Sequence, residues 1–252
     1  MASAATLGAL DALTAQFPMQ LYPRPTPFTC DSFIADDLVY VSVSNGKAKG
    51  GEADSARQGA STGRLFARAR VVDTAPTAFP GRVKIAYADG STYHALPSRL
   101  TPQLLRRVNA ATGVLVTAET SHYRRLARTQ IDASDVVLEI GCDLGPTVEI
   151  IAETVGFENV TGIDKSADSI AVAKVSHPQC HFIEMDIFRS TNELLAIASR
   201  CSKILIDING NRLLGAVVDA LSLVLHGCPK LELVIVKSVE LHRELQRRDH
   251  AS

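Results

Sequence analysis

The chain has 252 residues, of which 46% are hydrophobic and 21% are charged, with 26 Lys and Arg against 27 Asp and Glu. This composition predicts one or two globular domains and excludes a chain that is disordered throughout. No apolar run approaches the roughly 18 residues of a membrane helix, so we expect no membrane partner.

The five cysteines are odd in number and none stands in a C-x-x-C pair. We therefore expect no disulfide framework and no metal site. The amino terminus contains Asp11 and no arginine before Arg24, which fits neither a secretory signal nor a transit peptide. An intracellular protein is expected, cytoplasmic or nuclear, with an organelle still open.

Charge is distributed unevenly along the chain. Residues 1–130 hold 15 Lys and Arg against 9 Asp and Glu, whereas residues 131–252 hold 11 against 18. The first part therefore predicts contact with a polyanion. A chance division of a nearly neutral chain gives the same numbers and is the alternative.

The first part of the chain predicts a small antiparallel β-barrel. After an amino-terminal segment of residues 1–34, three strand-like runs follow, LVYVSVS, RLFARARVVD and RVKIAYADGSTYHAL. In the last run, Asp89-Gly90 separates two alternating segments, which is typical of a tight hairpin. We predict four or five strands over residues 35–100, with residues 45–63 as a long loop.

Residues 101–130 predict a helical connector with positive charge. Pro102 stands near its start, Leu104, Leu105 and Val108 share one helical face, and a second helix is expected over about 119–127. Six arginines and one acidic residue lie between positions 99 and 128. They favour either solvated helix faces or a surface that contacts phosphates.

Residues 131–252 alternate between buried-type strands and helices. The predicted strands cover residues 136–140, 160–163, 181–185, 203–208 and 231–236, and the predicted helices cover 146–154, 167–175, 191–200 and 211–225. Parallel strands need crossover connections, which are right-handed. The predicted fold class is therefore α/β, a doubly wound and mostly parallel sheet with helices on both faces.

Glycines and acids follow the first three of these strands, at the edge where open α/β sheets bind ligands. The first strand leads through Glu139, Gly141 and Gly145 into a helix, the second ends at Asp164, and the third is followed by Asp186. Glycines permit a tight turn and close approach of a ligand, and an acid after the second strand can accept hydrogen bonds from ribose hydroxyls. A single acid at such a position is typical of a helix cap or a loop. Acids at the ends of three successive strands favour a shared binding site.

The segments VVLEIGCDLG, VTGIDKS and FIEMDIF resemble the class I S-adenosylmethionine-dependent methyltransferases over about residues 119–240. The resemblance implies a Rossmann-like fold and S-adenosylmethionine as the cofactor, with the glycine turn against its amino-acid part, one acid on the ribose and one at the adenine. The implied cofactor-binding residues are Glu139, Gly141, Cys142, Gly145, Asp164, Lys165, Asp186 and Ile187. The chain departs from the family at Asp143, where the family has a middle glycine.

A dinucleotide is the alternative cofactor. Its G-x-G-x-x-G pattern requires glycines where this chain has Asp143 and Pro146. A carboxylate-rich edge also repels a pyrophosphate, whereas a positively charged sulfonium tolerates acids. Electrostatics therefore favours S-adenosylmethionine.

The fourth and fifth strands end in residues that indicate the chemistry of the acceptor. Asp207 and Asn209 follow the fourth strand, and Lys237 ends the fifth. The acid lowers the cost of a buried ammonium, and a deprotonated lysine can accept a hydroxyl proton. A lysine that merely extends to the surface is the alternative.

This pair resembles half of the Lys-Asp-Lys-Glu tetrad of the ribose 2'-O-methyltransferases, which implies Asp207 and Lys237 as catalytic residues. Arg124 and Arg125 occupy the place of the first lysine, but arginine cannot act as a base, and the closing glutamate has no counterpart. We assign Arg124, Arg125 and Asn209 to substrate binding. The acid or Asn with two prolines and an aromatic residue that marks N-methyltransferases does not occur at Asp207.

The first domain resembles Tudor and related SH3-like barrels, which bind methylated side chains or nucleic acid. Tyr40, Tyr87 and Tyr93 form either an aromatic cage for a methylated cation or part of the core and hairpin.

Fifteen residues follow Lys237, fewer than the carboxyl-terminal hairpin of the family needs. We expect the edge of the fifth strand to be covered by the amino-terminal segment or a partner chain, or the sheet to be natively truncated. An exposed edge would favour a homo-oligomer.

The sequence thus predicts a methyltransferase that acts first on RNA, because of the charge asymmetry and the Asp207/Lys237 pair. Protein is the second substrate class, because of the barrel. A non-catalytic scaffold is the third interpretation, favoured by the altered glycine turn and the missing hairpin.

Overall fold

The computed structural model describes residues 2–24, 26–43, 65–104, 111–208 and 214–249. The chain forms two units: residues 1–25 together with 104–252, and residues 26–103. In sequence, the smaller unit is therefore an insertion into the larger one. No helix of the described ranges is long and apolar enough to span a bilayer.

Strands and helices are numbered in chain order. The strands are β1 (Met19–Tyr22), β2 (Leu38–Val43), β3 (Leu65–Asp73), β4 (Val83–Tyr87), β5 (Thr92–Ala95), β6 (Leu100–Pro102), β7 (Gly113–Thr117), β8 (Val137–Ile140), β9 (Val160–Asp164), β10 (His181–Glu184), β11 (Lys203–Ile206) and β12 (Leu233–Lys237). The helices are α1 (Ala4–Gln16), α2 (Thr120–Thr129), α3 (Pro146–Val155), α4 (Ala167–Ser176), α5 (Thr191–Ala198), α6 (Leu214–Gly227) and α7 (Val239–Asp249).

The larger unit contains a seven-stranded sheet in the order β1-β7-β12-β11-β8-β9-β10, in which every neighbouring pair is parallel. Ile140, Ile206 and Val236 are register neighbours on one face, where they share a core with α1 and α6. On the other face, α2 packs against α3 and β12. The α/β class with a mostly parallel sheet and helices on both faces is confirmed.

Strands β8 to β12 and helices α3 to α6 occur where the sequence predicts them, with ends that differ by a few residues. Apolar runs of four or five residues form the strands because they can be buried on both faces of the sheet. Helix α3 begins with Pro146 in its first turn, and the Ser166 hydroxyl caps α4 by accepting a hydrogen bond from the Ser169 backbone.

Residues 101–130 are not helical throughout, so this part of the prediction is wrong. Residues 100–102 form β6 and residues 113–117 form β7, and only the second predicted helix, now α2, is confirmed. The five residues of β7, GVLVT, are all buried in the middle of the sheet, where they pair with β12 and β1. The helical pattern seen in the sequence around Leu105 and Val108 lies outside the described residues.

The fifth predicted strand, β12, is not an edge. Its backbone pairs with β11 on one side and with β7 on the other, and β7 pairs in turn with β1. The strand that covers β12 is thus β7, which lies in the predicted connector and not in the amino-terminal segment, and the amino-terminal strand β1 lies beyond it. The exposed edge at β12 on which the expected homo-oligomer rested is therefore not present.

The smaller unit contains a five-stranded antiparallel sheet in the order β5-β4-β3-β2-β6. The predicted hairpin between β4 and β5 turns at Gly90, whose φ is +82°, after Asp89, whose carboxylate accepts hydrogen bonds from Ser91. Closure into a barrel would require β5 to pair with β6, and the described strands show no such pair. The sheet is therefore established and the barrel stays a prediction; residues 45–63, predicted as a loop, lie outside the described residues.

Candidate functional site

A cleft opens at the carboxyl edge of the parallel sheet, where the strand order reverses between β8 and β11. Its empty volume, which includes space open to solvent, is about 450 Å³. Ligands of open α/β sheets bind at such a switch point. The lining residues are Ile140, Gly141, Ile163, Asp164, Lys165, Met185, Asp186, Ile187, Phe188, Asp207 and Ile208.

The turn after β8 brings the backbone close to β11. Gly141 has a φ of +83°, and a Cβ atom there would collide with the carbonyl oxygen of Asp207. Gly145, with a φ of +85°, is similarly close to the ring of Phe182. Both positions therefore require glycine, for the backbone conformation and for the space.

Asp143 keeps the turn in spite of replacing a glycine. Its φ is +48°, in the left-handed region that Asp tolerates better than most residues. Its backbone N–H donates to Asp164 Oδ2 at 3.1 Å, and its carboxylate accepts from the Ser169 hydroxyl at 3.0 Å. These bonds hold the turn closed, so the substitution does not by itself favour a degenerate site.

Asp164 joins the turn to the start of α4. Oδ2 accepts the hydrogen bond from Asp143, and Oδ1 accepts one from the Ser166 backbone at 2.9 Å. Each carboxylate oxygen has about two acceptor positions, so both oxygens can accept a further hydrogen bond from a ligand in the cleft.

Asp186 follows β10 and lines the cleft together with apolar side chains. Its Oδ1 accepts a hydrogen bond from the Phe188 backbone at 3.1 Å. Ile163, Met185 and Phe188 supply apolar walls. Met185 and Phe188 were not among the predicted site residues, although both lie within two positions of Asp186.

Three predicted cofactor residues do not line the cleft. Gly145 is the N-cap of α3, and Cys142 is buried, which raises the pKa of its thiol and keeps it protonated. Glu139, in the middle of β8, is 2% exposed. Lys165, by contrast, does line the cleft.

Glu139 is buried against α2. The Tyr123 hydroxyl donates to its Oε1 at 3.0 Å. Burial raises the pKa of Glu139 to about 8, although the hydrogen bond from Tyr123 lowers it and the charge of Asp207 raises it further. Glu139 is therefore mostly protonated at neutral pH. Tyr123 was not predicted as a site residue; its place next to Arg124 on a half-polar helix gave no sign of full burial.

The predicted catalytic pair is assembled. Lys237 Nζ donates to Asp207 Oδ2 at 2.9 Å, and the two side chains are 15% and 17% exposed. The pair follows from the register, because Ile206 and Val236 are neighbours and the next residues on both strands lie side by side. Asp207 lines the cleft, so the ion pair stands at its border.

The arginines predicted to bind substrate are half-buried rather than exposed. Arg125 donates to the hydroxyl of Tyr22, at the end of β1, at 3.2 Å. Arg124 has a buried Nε with no hydrogen-bond partner in the described part of the chain. Asn209 lies outside the described residues.

The three tyrosines of the smaller unit do not share one face. Val39 and Val41 point into its core, so Tyr40 between them points away, whereas Tyr87 packs against that core. Tyr93 is 38% exposed and accepts a hydrogen bond from Arg99. An aromatic cage of all three is therefore excluded. Within the described ranges, no group of three or more His, Cys, Asp and Glu residues is arranged to hold a metal ion.

Comparison with known proteins finds short similarities to methyltransferases. No protein-family model matches the chain. A segment of 62 residues is 36% identical to trans-aconitate 2-methyltransferase of Escherichia coli O157:H7 and 32% identical to that of Enterobacter sp. (strain 638). The segment covers 25% of this chain and 25% of each relative, so the match spans about a quarter of the length of the curated relatives.

Among solved structures, the plantazolicin methyltransferase BpumL in complex with SAH is 24% identical, with a TM-score of 0.31 over 47% of this chain and 50% of that chain. A probable oxidoreductase from Mycobacterium abscessus is 15% identical, with a TM-score of 0.26 over 91% of this chain and 78% of that chain.

Proposed function

We propose that this protein is an S-adenosylmethionine-dependent methyltransferase that methylates an oxygen atom of its acceptor. The observation that carries the proposal is the convergence of Gly141, Asp164, Asp186 and Asp207 on one cleft at the switch point of the sheet. The sequence similarity to trans-aconitate 2-methyltransferases supports it.

The residues of the cleft fit this cofactor. Asp164 retains acceptor positions for the two ribose hydroxyls, and Asp186 stands beside apolar walls that suit an adenine ring. Gly141 also lines the cleft, and its missing Cβ lets the turn pack against the Asp207 backbone. The acids also suit a positively charged sulfonium better than a pyrophosphate.

S-adenosylmethionine supplies an electrophilic methyl group when it is bound. Asp207 and Lys237 stand at the border of the cleft, where they can orient an acceptor hydroxyl. In this proposal Lys237 accepts the proton of the acceptor hydroxyl, and Asp207 holds the Lys237 amine in place through their hydrogen bond. The apolar walls keep water from competing as an acceptor.

RNA is the acceptor that we propose, from the positive balance of residues 1–130 and the pairing of Asp207 with Lys237. The burial of Arg124 and Arg125 gives these two residues less contact with an RNA backbone than the sequence predicts.

The test is methyl transfer from a radiolabelled donor to total cellular RNA, total protein and small metabolites, separated by nuclease and protease digestion. Label released by nuclease supports RNA, and label released by protease favours a protein acceptor instead. Lys237→Met should abolish incorporation while it leaves the affinity for S-adenosylhomocysteine unchanged. Absence of incorporation together with absence of cofactor binding would favour the scaffold.

A further inference from the structure

Helix α2 presents three arginines to its surroundings, and their environments differ. Arg125 donates to the Tyr22 hydroxyl. Burial lowers the pKa of Arg128, and the charge of Arg124 adds to this, whereas the nearby Glu153 opposes it. Arg124 is half-buried, and its Nε has no hydrogen-bond partner among the residues that the structure describes. A buried, unsatisfied guanidinium nitrogen is costly unless a ligand completes its bonding.

The position of Arg124 is fixed beside the glycine turn. Tyr123, the preceding residue, donates to Glu139 Oε1, and Glu139 precedes Gly141 by two residues. The charge of Arg124 acts on the Glu139 carboxyl and lowers its pKa. The charge of Asp207, which lines the cleft, raises the pKa values of both Tyr123 and Glu139. Arg124 is therefore a neighbour of Glu139, two residues before the Gly141 that lines the cleft.

The neighbouring acid does not neutralise this arginine. Glu139 Oε2 is buried with no partner in hydrogen-bonding geometry in the described ranges, although the Thr147 hydroxyl is near enough to affect the carboxyl. Because burial keeps Glu139 mostly protonated at neutral pH, the positive charge of Arg124 remains available to an anion.

We propose that Arg124 binds the carboxylate at the amino-acid end of the cofactor, with Tyr123 and Glu139 as the residues that position α2 for this contact. The inference rests on the proposed function, and it moves Arg124 from the acceptor to the donor side of the site. The planar guanidinium offers two parallel N–H donors, which match a carboxylate.

The test compares two nucleosides that differ in the amino-acid end. S-adenosylhomocysteine carries the carboxylate, and 5'-methylthioadenosine lacks the whole amino-acid part. By isothermal titration, Arg124→Gln should weaken the binding of S-adenosylhomocysteine by about tenfold or more and change that of 5'-methylthioadenosine by less than about twofold. Arg124→Lys retains the charge but lacks the two parallel N–H donors. Its affinity for S-adenosylhomocysteine should lie between those of Arg124→Gln and the wild type.

Arg125→Gln is the matched control, because it alters the next residue of the same helix and should leave the ratio of the two affinities unchanged. Thermal unfolding of each variant shows whether α2 remains folded. If the wild type binds both compounds and Arg124→Gln leaves their ratio unchanged, this inference alone is overturned. If the wild type binds neither compound, the proposed function fails and the inference fails with it.

Discussion

Asp164 serves both the glycine turn and the cleft. It accepts hydrogen bonds from Asp143 and Ser166 and keeps further acceptor positions for a ligand. We expect Asp164→Ala to weaken the binding of S-adenosylhomocysteine by about 1.5–3 kcal/mol, measured by isothermal titration. Asp168→Ala, on the exposed first turn of α4, is the control and should bind like the wild type. Equal affinities of the two variants would contradict the assignment of Asp164 to the ribose.

Glu139 makes stability depend on pH. Burial raises its pKa from 4.5 to about 8, so between these values the folded protein holds a proton that the unfolded chain has released. The stabilising contribution of this proton is complete below about pH 4.5 and is lost as the pH rises toward 8. The slope is at most about 1.4 kcal/mol per pH unit.

Urea unfolding of the wild type and of Glu139→Gln between pH 5 and pH 8 measures this contribution. The stability of the wild type relative to the variant should fall as the pH rises, because Gln cannot ionise. Glu193→Gln, an exposed position at the start of α5, should show no such trend. A relative stability that stays constant or rises would mean that Glu139 is ionised in the folded protein.

Among the structural elements, the turn after β8 is limited by space. Gly141 and Gly90 share a positive φ, but only a Cβ on Gly141 would collide with backbone, at Asp207. Gly90→Ala should cost about 1–2 kcal/mol from its φ alone and leave cofactor affinity unchanged. Gly141→Ala should cost more than that in urea unfolding and should also reduce the affinity for S-adenosylhomocysteine. Similar effects of the two changes would mean that the turn can move away from β11.

At the amino-terminal end of β11, away from the cleft, Lys203 is a buried cation. Lys203 Nζ contacts Asp135 Oδ2 at 2.6 Å and donates to the Gln130 carbonyl at 2.6 Å. Lys203→Met leaves the Asp135 carboxylate buried without its cation, so we expect a loss of about 3–5 kcal/mol in urea unfolding. Adding Asp135→Asn should restore part of it. A double variant as unstable as Lys203→Met alone would contradict an electrostatic cause.

The sequence predicted those elements whose signal is local. Strands β8 to β12 are apolar runs with turns on both sides, and Asp164, Asp186 and Asp207 could be placed at one edge because the carboxyl ends of parallel strands meet there. Strands β1 and β7 were missed because MQLY and GVLVT are short, and because β7 pairs with β1 and with β12 only through contacts distant in sequence. Phe188 and Tyr123 were missed because no spacing in the sequence indicates that Phe188 lines the cleft or that Tyr123 is buried.

For the whole molecule, the order of the chain matters as much as its motifs. The larger unit is interrupted in sequence between residues 26 and 103. Strand β1 precedes this insertion and β7 follows it, yet the two strands pair in the same sheet. Together they occupy the side of β12 that would otherwise be open. This is why β12 is paired on both sides and is not an exposed edge.

The uneven charge of the chain predicts that its affinity for RNA depends on salt. If residues 1–130 contact phosphates, the affinity for single-stranded RNA should fall with salt, with a slope of log K against log[salt] of about −0.7 for each phosphate neutralised. Fluorescence anisotropy between 50 and 200 mM salt, as conditions typical of such titrations, gives the slope. Arg124→Gln should leave it unchanged, because this half-buried arginine is assigned to the cofactor. A slope near zero in the wild type would contradict RNA as the acceptor, and a slope that Arg124→Gln reduces by one phosphate would return Arg124 to the acceptor side.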